Sequence, residues 1–193
     1  LHFCSNTLTE EMITDTTAML IAQARQADAL ISFDVNLRHN LWQAGRADKA
    51  RVNDFVAMAD VLKFSREEIE YLTDDIASYV QTLLASRAQL VVITNDGGDI
   101  QFFTRQQKGQ VSAPVVKVVD TTAGGDGFSG GLLYQLSQIE DVNSLWKDPQ
   151  KLTAFISFAA QCGGFAVTRP GAFPALPTLA DVSQHIPAFI SVS

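Results

Sequence analysis

One carboxylate in this 193-residue chain is placed where it could do chemistry. Asp126 closes the run VVDTTAGGD (118–126), and Gly127-Phe-Ser-Gly-Gly131 continues behind it as a helix. Successive main-chain N–H groups in such a turn point into one concavity, and the helix adds roughly half a positive charge at its N-terminus. Gly124 and Gly125 leave no Cβ between those donors and a ligand. That cradle suits a phosphate without help from lysine. A carboxylate beside it would repel the ligand, so Asp126 makes chemical sense there as a base, taking a proton from a hydroxyl that attacks a phosphoryl group. A placed base contributes roughly 10²–10⁴-fold, while the turn's donors stabilise charge on the transferring group. The bland alternative is an acid in a helix first turn, where acids are common.

Two further readings attach to the same stretch. Gly130 and Gly131 each cost the helix about 1 kcal/mol relative to alanine, so sheet packing or a ligand must require close backbone approach. Gly125-x-Gly127-x-x-Gly130 formally matches the dinucleotide fingerprint G-x-G-x-x-G. That fingerprint needs a strand ending in an acid about 20 residues on, and the segments that follow here read as helices.

The elements that must position this turn alternate between strand-length apolar runs and helix-period segments, the pattern of a mostly parallel α/β sheet. LHFCS ends a strand, and a helix follows over 9–27 with Met12, Thr16, Leu20 and Ala24 on one face. ISFDV is a strand, NLRHNLW a loop, 47–59 a helix and VLKF a strand. SREEIEYL opens a helix, and 74–87 forms another. LVVIT is a buried strand closed by NDGGD, and IQFFT and QVSAP make a hairpin around QQKG. VVKVVD is expected as the strand feeding the glycine-rich turn, with its helix running to about 138. Helices at 151–165 and 179–186 complete the chain.

Bulk properties narrow the partners. A formal net charge of −7 argues against a nucleic-acid surface and against a polybasic membrane patch. Cys4 and Cys162 fit no metal or redox spacing and read as free thiols in a reducing compartment; the histidines are scattered. The uncharged run 152–168 is short for a membrane span and reads as a buried helix. A chain that opens on Leu1 within strand-like sequence is expected to be a piece whose N-terminal part is absent.

Asp120-Thr-Thr-Ala-Gly-Gly-Asp126 followed by Gly-Phe resembles the C-terminal signature D-T-x-G-A-G-D-x-F of the ribokinase-like (PfkB) carbohydrate kinases. Ala123 stands where glycine is usual, and Gly124 where alanine is. The resemblance implies Asp126 as catalytic base and an anion hole from the amides of Ala123, Gly124 and Gly125. It extends along the chain. FDVNLRHNLW (33–42) is similar to the F-D-x-N-x-R…L-W stretch of fructokinases and 2-keto-3-deoxygluconate kinases, which implies substrate or phosphate contacts from Asn36 and Arg38; a surface arginine bonded to Asp34 or a carbonyl is the structural alternative. KFSREE (63–68) resembles K-x-N-x-x-E, with Ser65 in place of asparagine. It implies nucleotide contacts from Lys63, Ser65 and Glu68, with Glu68 reaching Mg²⁺ through water, although Ser65-x-x-Glu68 is equally a capping box.

VITNDGG (92–98) stands in place of the family's nucleotide loop, implying ATP contacts from Thr94, Asp96 and Gly98, with Asp96 where glycine is expected. FAAQCGGFAVTR (158–169) resembles the segment flanking the adenine, implying a contact at Ala160, where many members carry asparagine. The implied fold is α/β, a ribokinase-like three-layer α/β/α arrangement of a mostly parallel sheet flanked by helices. Residues 1–193 would be the C-terminal portion of a single kinase domain, carrying the ATP site and the base, with the N-terminal part and lid absent. The implied activity is ATP- and Mg²⁺-dependent phosphorylation of a primary hydroxyl of a ketose such as fructose, in the cytoplasm, by a homodimer paired through the lid. A 2-keto-3-deoxygluconate or riboside kinase, a nucleotide-binding module and an NAD-dependent enzyme are the alternatives.

Overall fold

The computed structural model describes residues 1–183. Strands β1 (His2–Cys4), β2 (Ser32–Asp34), β3 (Val61–Ser65), β4 (Leu90–Thr94), β5 (Asp99–Phe103) and β6 (Lys108–Ser112) form one sheet, in that order. The first four pair in parallel, so each return needs a crossover, and a helix supplies it. Phe3, Phe33, Leu62 and Val91 stand in register across the four strands, and the rings of Phe3 and Phe33 stack with centroids 4.4 Å apart. Strands buried on both faces need near-continuous apolar sequence rather than alternation, and 61–64 and 90–93 supply it.

Helices α1 (Glu11–Gln26), α2 (Lys49–Val56), α3 (Arg66–Leu72), α4 (Ile76–Ala85), α5 (Gly124–Ser137), α6 (Val142–Leu145), α7 (Pro149–Ala166) and α8 (Leu179–Ser183) follow the expected alternation, with the short α6 added. Aspartates start four of them. Asp48, Asp75, Asp141 and Asp148 each accept first-turn N–H groups of α2, α4, α6 and α7, worth about 1 kcal/mol apiece. Of the helix expected over 179–186, residues 184–186 lie outside the described residues.

Two expectations are corrected. The inward face of α1 is Thr17 and Ile21, with Ala18 and Ala24 against the core, whereas Met12 is 79% exposed and Leu20 43%. Apolar residues nearly encircle this helix, so its period allows two faces; the Thr17 hydroxyl, in reach of the carbonyls of Thr7 and Ile13, sits on the chosen one. The run VVKVVD forms no strand. Its valines at 118 and 119 are exposed, and the N–H groups of Val119 and Asp120 both donate to the Val167 carbonyl at the end of α7, at 2.8 and 3.2 Å. β-Branched composition favours a strand only where another strand lies alongside.

The chain divides into two compact units. One comprises Leu1–Asp96 with Phe102–Lys108, and the other Gly97–Gln101 with the residues from Gly109 onward. The first unit holds the four parallel strands and a core built on Phe33, Phe64, Ile31, Leu62 and Ile93. The second is dominated by the packing of α5 on α7.

Candidate active site

In the second unit, Ala123 is the N-cap of α5 (φ −102°, ψ 7°), and Asp126 lies in the first turn. The Gly124 N–H donates to the Thr121 carbonyl at 3.2 Å, and that of Gly127 donates to the Ala123 carbonyl at 2.8 Å. The N–H groups of Ala123, Gly125 and Asp126 are left with no acceptor among the described residues, as helix starts require unless a cap or ligand intervenes. Of the amides expected to form an anion hole, those of Ala123 and Gly125 are thus without an acceptor among the described residues, as is that of Asp126, whereas the Gly124 amide is used inside the turn. The Asp126 carboxylate is exposed and makes no hydrogen bond or ion pair among the described residues.

Asp120, at the start of the same turn, is the residue that sequence reasoning passed over. One carboxylate oxygen accepts the Thr122 N–H at 2.9 Å and the Thr122 hydroxyl at 2.5 Å; the other accepts the Gly171 N–H at 2.8 Å. These donors, the Thr122 hydroxyl foremost, hold its pKa down at about 2. The Asp-x-Thr spacing is a turn signal, so the local half of this clamp was readable; the reach to Gly171 was not.

The helix glycines have a packing explanation, with one exception. A Cβ on Gly131 would stand 2.8 Å from the Cys162 sulfur and 3.1 Å from the Ala159 Cα. One on Gly127 would stand 3.0 Å from the Cys162 carbonyl oxygen, and one on Gly124 would stand 2.7 Å from Val167 Cγ1. Gly130 would meet nothing within 4 Å. The dinucleotide reading loses its support twice: the segment before the turn is not a strand, and Gly127, on which the fingerprint counts, is packed against α7. Burial pushes the Cys162 thiol up to about 11, which makes it inert packing. Ala160 is buried on α7 (5% exposed) and offers little surface to a ring.

In the first unit, the loops leaving β2, β3 and β4 emerge at one edge of the parallel sheet, where open α/β sheets bind ligands. Lys63 corrects its expectation. Its ammonium is buried and paired with Asp34 at 3.0 Å, so it joins β3 to β2 instead of reaching outward. The structural alternative for Arg38 is not realised either: with Asp34 committed to Lys63, the Arg38 guanidinium is exposed with no hydrogen bond or ion pair among the described residues. Asn36 and Arg38 hold φ of +36° and +37°.

Ser65 caps α3 by accepting the Glu68 N–H at 3.2 Å, while Glu68 accepts the Ser65 N–H at 2.6 Å. The second Glu68 oxygen takes the Leu37 N–H at 3.1 Å, a link that no local pattern announces. The Thr94 hydroxyl donates to the Phe64 carbonyl at 3.2 Å. Asp96 is exposed at φ +28°, a conformation that aspartate tolerates better than most, so it keeps the turn that glycine was expected to make. Gly98 belongs to the second unit and accepts the Ala113 N–H at 3.4 Å. Among the described residues, no group of three or more His, Cys, Asp or Glu could hold a metal, and no helix is long and apolar enough to cross a membrane.

Residues 1–179 match the pfkB family carbohydrate kinase model. A fructokinase of Vibrio alginolyticus is 38% identical over 188 residues, 96% of this chain and 60% of its own length. The crystal structure of a Xylella fastidiosa fructokinase with bound ATP superimposes with a TM-score of 0.90 at 38% identity, over 95% of this chain and 59% of that one. A Vibrio cholerae O395 fructokinase, solved with fructose, ADP and calcium ion, gives a TM-score of 0.85 at 35% identity, over 95% and 59%. The chain thus spans about three-fifths of the length of these relatives.

Proposed function

The chain belongs to the pfkB family of carbohydrate kinases, and we propose on that premise that it serves an ATP-dependent kinase acting on a primary hydroxyl of a ketose such as fructose. One observation carries the reading: an unpartnered carboxylate, Asp126, shares the first turn of α5 with N–H groups that have no acceptor among the described residues. The relatives' ligands, ATP in one and fructose with ADP in another, supply the substrate classes. Asp126 takes the proton of the attacking hydroxyl. The amides of Ala123, Gly125 and Asp126 receive the charge that builds on the phosphoryl oxygens, with the α5 dipole behind them. Asp120 keeps the turn in shape by its grip on Thr122 and Gly171.

At the carboxyl edge of the parallel strands, the Asn36 and Arg38 side chains offer polar groups to substrate or phosphate oxygens. Ser65, Thr94 and Asp96 stand at turns of the first unit suited to a nucleotide, and Gly98 at a turn of the second. The donor set suits a magnesium ion held mainly by nucleotide phosphates, because the described residues form no carboxylate cage. Such an ion would neutralise phosphate charge. Glu68, both of whose oxygens already accept amides, would meet it only through water on a remaining lone pair. The two units are read as parts of one kinase domain, working in the cytoplasm, where Cys4 and Cys162 stay reduced, with a second copy as partner.

The test is turnover of ATP and fructose by the intact protein and by Asp126→Asn, alongside a panel of other sugars and ribosides. Loss of roughly 10²-fold or more in kcat with the fold intact is expected from removing the base. Undiminished turnover in Asp126→Asn would remove it from the chemistry, and preference for a riboside would move the substrate within the family.

A further inference from the structure

The loop leaving β2 carries two closely spaced departures from ordinary backbone. Asn36 and Arg38 sit at φ +36° and +37°, in the left-handed region. Asparagine enters that region readily, arginine much less so, and such strain persists only where the surroundings over-determine it. Here they do. The Val35 N–H donates to the Lys63 carbonyl at 3.0 Å, and the Leu37 N–H to a Glu68 carboxylate oxygen at 3.1 Å. The Ser5 hydroxyl donates to the Asn36 carbonyl at 2.8 Å, and the Trp42 indole N–H to the Leu37 carbonyl at 2.8 Å. Ser5 is fully buried and Trp42 is 6% exposed, so water has little access to the donor of either bond. Every one of these grips is on main chain. The side chains of Asn36 and Arg38 are left to point elsewhere.

We propose that Ser5 and Glu68 are positioning residues, holding the main chain of 36–38 in its strained form so that the Arg38 guanidinium is aimed before substrate arrives. The assignment rests on the kinase reading for what Arg38 binds, but the strap itself stands on geometry within the first unit. It also gives Glu68 a role that needs no metal. Its carboxylate ties the start of α3 to the loop after β2, a contact between segments 31 residues apart. Pre-aiming a side chain removes an ordering cost from binding, so its loss is read in KM rather than in the chemical step.

The experiment is a double-mutant cycle in the intact protein, with ATP and fructose as substrates. Arg38→Ala identifies the KM that Arg38 governs. Ser5→Ala is expected to raise that same KM about fivefold, the factor that one ordinary hydrogen bond converts to, with kcat nearly unchanged. It should add nothing in the Arg38→Ala background, because the two act through one side chain. Trp42→Phe, which takes away the indole N–H, should repeat the pattern and covers the case in which Ser5→Ala fails to fold. Glu68→Gln should raise the same KM, whether or not the half-saturating Mg²⁺ concentration moves with it.

Full additivity of Ser5→Ala and Arg38→Ala would overturn the proposal. So would a shifted Mg²⁺ requirement in Glu68→Gln with KM unmoved. A wild-type protein without turnover on any sugar would instead sink the kinase reading. The strap would then be read from hydrogen exchange, with the Leu37 amide protected in wild type and exchanging faster in Glu68→Gln; equal protection would end it.

Discussion

Gly130 and Gly131 are neighbours in one helix, cost the same by propensity, and should behave oppositely on replacement by alanine. At Gly130 an added methyl group meets nothing within 4 Å, so Gly130→Ala should recover the helix-propensity difference of about 1 kcal/mol. At Gly131 the same methyl would stand 2.8 Å from the Cys162 sulfur, 3.0 Å from the Cys162 Cβ and 3.1 Å from the Ala159 Cα. Two of those atoms belong to the α7 main chain or are fixed to it, so α5 and α7 would have to part. Forcing an extra methyl into a packed contact costs roughly 1–3 kcal/mol, which outweighs the propensity gain. Because both variants share the propensity gain, they should then differ by the overpacking cost alone, roughly 1–3 kcal/mol, on the order of 2–12 °C in Tm for a chain of this size.

Thermal denaturation of the purified variants followed by circular dichroism measures that gap, and Gly131→Ala with Cys162→Ala should recover part of it because the sulfur is gone. Equal Tm values, or a Gly130→Ala less stable than wild type, would refute the reasoning and show that something covers the Gly130 face.

The remaining predictions concern charge and thiol chemistry. Lys63→Met should destabilise the fold by roughly 3–5 kcal/mol in urea titrations, because it leaves the Asp34 carboxylate buried without its cation; a change below about 1 kcal/mol would mean that the pair is not structural. Asp120 is held at about 2 against an ordinary 3.8, so its stabilising contribution is present above pH 3.8 and is lost as pH falls through about 2. Acid titrations of wild type and Asp120→Ala should therefore converge below about pH 2 and separate above about pH 4, and parallel curves would count against the clamp. Cys162 should resist alkylation in the native protein at about pH 8 and react once denatured, since burial both hides the thiol and raises its pKa to about 11.

What the sequence disclosed follows from how local each signal is. The parallel strands were legible because burial on both faces forces nearly unbroken apolar runs: VLKF and LVVIT each map onto a strand within a residue. The first turn of α5 was legible because a helix-period segment follows a run of small residues, with an aspartate placed where helix first turns favour acids. Where side-chain type under-determines contact, reading failed. The resemblance implied a nucleotide contact from Lys63, yet a lysine on a buried strand beside Asp34 has a nearer partner. The inward face of α1 was misread because Met12, Ile13, Met19, Leu20 and Ile21 offer more than one stripe. VVKVVD has the composition of a strand, but composition carries no information about what lies beside it. The Glu68–Leu37 link spans 31 residues, and no spacing rule covers it.

The overall charge of −7 is a poor guide to what the α5 turn can bind. At physiological ionic strength charges farther apart than about 8 Å are largely screened, so a distributed excess of carboxylates weakens at a site while donors in contact with a ligand do not. In the α5 turn those donors are N–H groups, which carry no formal charge, cannot be neutralised by pH and need no rotamer to be fixed. A lysine in their place would tend to ion-pair with Asp126 and hold it ionised but occupied. Main-chain donors leave the carboxylate unpartnered, as it is among the described residues. On the proposed reading, the turn thus separates two duties that one cation would confuse: holding negative oxygens, and leaving a base free to accept a proton.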